Sequence, residues 1–113
     1  MDADFQAYVD GIAPEFRPLF DWLHGIVLAA HPEAALALAY DMPTYRLGKH
    51  RLNLGVWKHG VSVYGRRRDN DGGFAARHPE LLSSKSTIRI RPIDADAISD
   101  DEFAGLLGGA LDA

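Results

Sequence analysis

The sequence contains no cysteine, which excludes a disulfide framework, a thiolate metal site and a cysteine nucleophile. It also lacks a long apolar run. The most apolar stretch, GIVLAAHPEAALALAY, is interrupted by His31, Pro32 and Glu33, so we do not expect a transmembrane helix. The N-terminal MDADFQAYVD is acidic, unlike the basic and then apolar plan of a secretory signal. We therefore expect a soluble cytoplasmic protein without membrane partners.

The common catalytic motifs are missing as well. Ser62 does not lie in a G-x-S-x-G setting, and the glycines of GGF are not followed by the Lys-Ser/Thr of a phosphate-binding loop. No residue pattern specifies a nucleophile activated by a nearby base. We therefore expect a binding domain rather than an enzyme, with no required cofactor.

Basic residues are concentrated in the middle of the chain. The net charge is −4, yet residues 46–91 hold eleven of the twelve Lys and Arg residues, and residues 92–113 hold none. Such segregation bears on partners rather than on fold. Two interpretations follow: acidic helices pack beside a basic sheet, or the basic centre binds an anion.

The N-terminal third of the chain has helical periodicity. In DFQAYVDGI the apolar residues recur at helical intervals, which predicts a first helix. A second helix is predicted to begin near Pro14 and to end at His31, with Leu19, Leu23 and Val27 on its apolar face.

The middle of the chain alternates with the period of a strand. ALALAY places Leu36, Leu38 and Tyr40 on one side, although a helix is also compatible with its alanines. Met42 and Pro43 are then predicted to break the chain. The runs TYRL, RLNLGVW, VSVYG and STIRIRP are predicted strands, the first three separated by turns that contain glycine.

A final helix is predicted over ISDDEFAGLLGGAL, where Ser99 and Glu102 form a capping box. Residues 1–113 are thus expected to form a single α+β domain: an antiparallel sheet of about five strands, with N-terminal helices and a C-terminal helix packed on one face.

The segment AYDMPTYRLGKHRLNLGVWKHGVSVYG resembles the core of the YdhG-like family, small bacterial domains of unknown function, and SSKSTIRIRP resembles a later segment of that family. Ser86, where the family often has glycine, and the loop RRRDNDGG depart from the pattern. The resemblance implies a frataxin-like α+β fold and iron handling, because some relatives are described as frataxin-like iron chaperones. The residues that carry it are Tyr40, Met42, Pro43, Tyr45, Lys58, His59, Tyr64, Lys85 and Arg89.

Metal binding has limited support in the residues themselves. The five histidines show neither the H-x-x-x-H spacing nor a C-x-x-C frame, so a zinc site is not expected. Iron binding is an alternative, because Fe(II) accepts surface carboxylates, here Asp4, Asp10 and Glu15. The other interpretation of these three residues is a solvated acidic face.

The strands contain aromatic residues among cations, a combination that can hold an anion, a nucleotide or a single strand by charge and stacking. Ordinary cross-strand packing or a homodimer interface would explain the same residues. RNP signatures are absent, so sequence-specific nucleic-acid recognition is not expected. The main prediction is a site for an anionic small ligand or a protein partner, formed by Tyr45, Arg51, Trp57, Lys58, His59, Tyr64, Lys85, Arg89 and Arg91.

Overall fold

The chain forms helices at both ends and a sheet between them. A computed structural model describes residues 2–112. The helices are α1 (Ala3–Asp10), α2 (Arg17–Ala30), α3 (Phe74–Arg77), α4 (Pro92–Ala95) and α5 (Asp100–Leu111), with a short 3₁₀ helix at Pro79–Leu81. The strands are β1 (Ala35–Ala39), β2 (Met42–Leu47), β3 (His50–Trp57), β4 (Gly60–Tyr64), β5 (Leu82–Ser84) and β6 (Thr87–Ile90).

The helix termini follow the local chemistry of the sequence. Helix α2 begins at Arg17, later than the predicted start near Pro14, and Pro18 lies in its first turn, where the missing N–H has no helical partner to lose. The predicted capping box of α5 is confirmed: Ser99 accepts from the backbone N–H of Glu102, and the Glu102 carboxylate accepts from the backbone N–H of Ser99. No helix of the described residues is long and apolar enough to cross a membrane.

The sheet has six antiparallel strands in the order β1-β2-β3-β4-β6-β5. The α+β fold with helices on one face is therefore confirmed, with one strand more than the approximate count predicted from sequence. Strand β5 was not predicted because its three residues are all exposed and show no alternation. It adds to the sheet edge beside β6.

One face of the sheet is closed by the helices. Phe5 of α1 and His24 of α2 lie against Tyr45 of β2, and α5 packs against β3. We call the opposite side the open face. The strand residues buried on the closed face are Tyr45, Leu52, Leu54, Val61, Val63, Ile88 and Ile90.

The turn between β1 and β2 differs from the prediction. Tyr40 does not continue β1; Tyr40 and Asp41 form a two-residue turn with φ of 54° and 59°, the backbone of a type I′ hairpin. Pro43 lies within β2 rather than breaking the chain. Because the pairing of β2 with β3 begins only at Thr44, the missing N–H of proline removes no bond on that side.

Candidate functional site

The strands carry positive charge only, and they carry it on one face. None of the six strands contains Asp or Glu. Their three arginines are Arg46, Arg51 and Arg89. Arg46 pairs with Arg51 and Arg89 pairs with Ser62. Since side chains alternate between faces along a strand, all three project from the open face, opposite to the helices.

Four cationic residues meet in a cleft at one end of this face, where the β2–β3 turn approaches the segment after β4. The cleft has a volume of about 710 Å³, within the usual range for small-molecule sites. Among residues 2–112 no carboxylate lines it. We call this site the cationic cleft; its lining is Arg46, Gly48, Lys49, His50, Arg51, Asn53, Tyr64, Gly65, Arg67, Ser86 and Ala110.

The charges of the cleft are unbalanced. Arg46 and Arg51 lie directly opposite each other on neighbouring strands, an arrangement that destabilises a sheet. Lys49 follows in the turn that joins these strands. Within residues 2–112, none of the three forms a salt bridge with a carboxylate. All three side chains are exposed and can therefore contact an anion that enters from solvent.

Arg67 reaches the cleft from a loop that a buried ion pair holds in place. Arg66 donates to Asp71 at 2.8 Å and also to the carbonyl of Lys85. Burial by itself raises the pKa of Asp71, but hydrogen bonds from the backbone N–H groups of Ala75 and Gly73 and from Arg66 outweigh it, so the pKa is lowered. The Asp71 carboxylate is therefore charged and fixes the loop that carries Arg67.

The Arg67 side chain also stabilises the end of α5. Its guanidinium donates to the carbonyls of Gly109 and Asp112 at the end of α5, where carbonyls lack helical partners. It therefore contributes positive charge to the wall of the cleft, whereas Arg46, Lys49 and Arg51 are the cations available for a ligand.

Arg51 extends along the open face. Its guanidinium carbon lies 5.1 Å from the centre of the Tyr40 ring, and it donates to the Tyr40 hydroxyl at 3.3 Å. Arg51 lies opposite Arg46, whereas Tyr40 lies in the turn before Met42, four residues from Arg46 along β2. The side chains of Arg51 and Tyr40 must therefore extend along the sheet to meet. Tyr40 is 69% exposed, which leaves a large aromatic surface beside the cleft.

A second aromatic–cation pair occupies the other end of the open face. The guanidinium carbon of Arg89 lies 5.1 Å from the Trp57 ring, and His59 contacts the indole edge-on at 5.0 Å. Arg89 is exposed and the indole is half-buried. Lys58 lies beside His59 in the exposed β3–β4 turn.

The remaining predicted site residues lie in three different environments: at the cleft, in an ion pair and in the core. Tyr64 lines the cleft, and Lys85 is exposed in the β5–β6 turn beside it. Arg91 is paired with Asp94 at 3.0 Å. Tyr45, a predicted ligand-binding residue, is fully buried on the closed face.

Tyr45 belongs to the core. Its hydroxyl shares a hydrogen bond of 2.8 Å with Nδ1 of His24, and burial raises the pKa of the tyrosine well above its usual value. Burial likewise lowers the pKa of His24, although Asp21 opposes the shift. The pair is therefore neutral and structural, and Tyr45 does not face a ligand in solution.

The structure does not gather the carboxylates of the iron alternative. Asp4 and Asp10 lie on α1, and Glu15 follows in the turn before α2. The Asp10 carboxylate accepts from the side chain of Gln6. Over residues 2–112 no three His, Asp or Glu side chains converge in a way that could hold a metal ion.

The predicted site lacks three of the four cationic residues of the cleft: Arg46, Lys49 and Arg67. Arg46 could have been found from the hairpin register, because a turn at Gly48-Lys49 places it opposite Arg51. Arg67 gave no such signal, since its position depends on the Arg66–Asp71 pair.

Comparison with family models, with curated proteins and with solved structures found no match for this chain. The resemblance to the YdhG-like family therefore stays a prediction.

Proposed function

We propose that this protein is a binding domain for a small multivalent anion, held in the cationic cleft. The observation that supports it most is the cross-strand pair Arg46–Arg51, extended by Lys49, in a cleft that no carboxylate of the described residues lines. An anion carrying two or more negative oxygens would relieve the repulsion and accept charge-assisted hydrogen bonds.

Neutral donors accompany the cations. The side chains of Asn53, Tyr64 and Ser86 also line the cleft, and amide or hydroxyl groups can accept from or donate to the parts of a ligand that carry no charge. Asn53 donates to Thr44, which fixes its orientation. The arrangement fits a ligand with an anionic group and a polar body.

The expected affinity follows from the number of unpaired cations. A hydrogen bond to a charged group contributes about 1.5 kcal/mol at the lower end of its range. Three such bonds, from Arg46, Lys49 and Arg51, correspond to a Kd of the order of 1 mM or tighter. Loss of one cation is then expected to weaken binding about tenfold.

Isothermal titration calorimetry with inorganic pyrophosphate and with citrate tests the proposal, because the two probes separate phosphate from carboxylate recognition. We expect saturable binding of at least one probe, weakened about tenfold in Arg46→Gln and in Lys49→Gln. Arg68→Gln is the matched control: Arg68 is exposed, does not line the cleft, and its substitution changes the net charge equally.

Equal weakening in Arg46→Gln and Arg68→Gln would show that only overall charge matters and would contradict a site in the cleft. Absence of saturable heat for both probes, with the fold verified by circular dichroism, would also contradict it.

The other sequence-based alternatives stay predictions. Calorimetry with Fe(II) under anaerobic conditions tests the iron chaperone, and the dispersed positions of Asp4, Asp10 and Glu15 do not favour it. Sedimentation at micromolar concentration tests the homodimer, in which the open face would be covered by a second copy.

A further inference from the structure

We propose that the ligand of the open face is single-stranded nucleic acid, bound without sequence specificity. This inference rests on the proposed function, because the cationic cleft would supply the phosphate contacts. It adds the aromatic–cation pair at the far end of the same face, which a small anion in the cleft would not reach.

The two ends of the face lie at a spacing that suits an extended chain. Arg51 and Trp57 are six residues apart on β3 and project from the same face, which corresponds to about 20 Å. A small anion cannot contact both ends, whereas a polyanion of several nucleotides can. Non-specific single-strand sites of about four or more nucleotides per domain are common.

The surface between the two ends is formed by side chains that lean over small residues. Its centre consists of small residues, with Gly55 opposite Ser62 on the neighbouring strand. The side chains of Met42 and Tyr64 lean over Gly55, where an added Cβ would lie 3.1 and 3.2 Å from them. Met42 and Tyr64 therefore cover Gly55 and form the surface that a bound chain would meet, with the ring of Tyr64 along its path.

Two aromatic–cation pairs on the face offer platforms for bases. Tyr40 lies against Arg51, and Trp57 lies against Arg89. Bases stack on aromatic rings and on guanidinium planes without regard to sequence. The tyrosine is exposed and the arginine at the far end is exposed, so both platforms can be reached from solvent.

The strands of the open face are more positive than the helical side, although Glu80 and Asp94 line the pocket beside Trp57 and Arg89. The strands contain three arginines and no carboxylate, whereas α1, α2 and α5, which pack on the opposite side, carry Asp4, Asp21 and Asp100 among other acids. The overall charge of −4 therefore does not oppose binding at the open face; it orients the polyanion toward it.

Fluorescence anisotropy with labelled oligothymidylate and oligouridylate of about fifteen nucleotides tests the inference. We expect saturable binding with a slope of log K against log salt of about −3, since four cations (Arg46, Lys49, Arg51 and Arg89) each contribute about −0.7 for a single strand. A duplex of the same length should bind more weakly.

Variants at the far end separate this inference from the proposed function. Arg89→Gln should reduce the salt slope by about 0.7, and Trp57→Ala should weaken oligonucleotide binding about fivefold or more through lost stacking. Both should leave pyrophosphate binding unchanged, because neither residue lines the cleft. Trp57→Phe, which keeps an aromatic ring, should retain most of the affinity and guards against misfolding of the alanine variant.

The inference would be overturned if pyrophosphate binds but neither Arg89→Gln nor Trp57→Ala weakens oligonucleotide binding. The anion site in the cleft would then remain supported. Failure of both pyrophosphate and oligonucleotide would overturn both. A stable dimer that Arg89→Gln dissociates would also overturn the inference, because a second copy would then occupy the face.

Discussion

Replacement of Arg46 by glutamine should change stability and binding in opposite directions. Arg46 lies opposite Arg51, and removal of one of two like charges stabilises a sheet. Both side chains are exposed. Two unit charges about 10 Å apart in water interact by about 0.4 kcal/mol, so we expect a gain of about 0.2–0.5 kcal/mol in the free energy of unfolding. That gain corresponds to a rise in Tm of roughly 1–3 °C.

An anion in the cleft should reverse this order. At a pyrophosphate concentration of about 100 times the wild-type Kd, the wild type gains about 2.7 kcal/mol, whereas a variant with tenfold weaker binding gains about 1.4 kcal/mol. The wild type then becomes the more stable protein by about 1 kcal/mol. Such trade-offs between stability and binding are common where like charges form a site.

Urea denaturation followed by circular dichroism, with and without pyrophosphate at constant ionic strength, measures both effects. Without ligand, the advantage of Arg46→Gln should shrink as salt is added. Arg68→Gln, which removes a charge outside the cleft, should show no reversal. A variant that is less stable than the wild type without ligand, or equal stabilisation of both by pyrophosphate, would refute the reasoning.

Three further predictions concern the framework of the site. Arg66→Met leaves the buried Asp71 carboxylate without its partner, and urea denaturation should show a loss of about 3–5 kcal/mol; a loss below about 1 kcal/mol would contradict the role assigned to the pair. Gly60→Ala would place a Cβ 2.0 Å from the Ile90 carbonyl oxygen and should lower the free energy of unfolding by at least about 1–3 kcal/mol. Gly25→Ala, in open space on α2, should instead raise the free energy of unfolding by about 0.5–1 kcal/mol. Similar effects of the two substitutions in thermal melts would be inconsistent with this packing. Hydrogen bonds from the Ser99 backbone, His78 and Arg77 lower the pKa of Glu102 from 4.5 to about 2. The stability that the Glu102 carboxylate contributes is therefore present above pH 4.5 and is lost as the pH falls toward 2. The difference in Tm between wild type and Glu102→Gln should shrink over that interval, and a constant difference would contradict the assignment.

The fold was predictable where local patterns and tertiary packing agree. Leu52 and Leu54 alternate with polar residues and are buried, and the Ser99–Glu102 capping box begins α5. The prediction that Pro43 breaks the chain was wrong, because the effect of a proline depends on whether a neighbouring strand needs its N–H. That information lies in the register of β2 with β3 and not in the local sequence.

The site was predictable only in part. Arg51, Trp57 and Arg89 lie on the open face, as alternation along their strands predicts. Alternation also puts Tyr45 on the face opposite to its neighbour Arg46. The run TYRL is too short to show which of its alternate residues face the helices. The cleft itself arises from a loop that folds back onto β3, and a periodicity argument does not reach such contacts.

The most direct test of the account is a titration of ¹⁵N-labelled protein with pyrophosphate, followed by assigned amide resonances. The account predicts concentration-dependent shifts for the backbone of Gly48, Lys49 and Gly65 and for the side-chain amide of Asn53, which line the cleft, with α1 and α2 unaffected. Shifts confined to the helical layer, or none at a saturating concentration, would contradict the claim that the open face of this sheet binds anions.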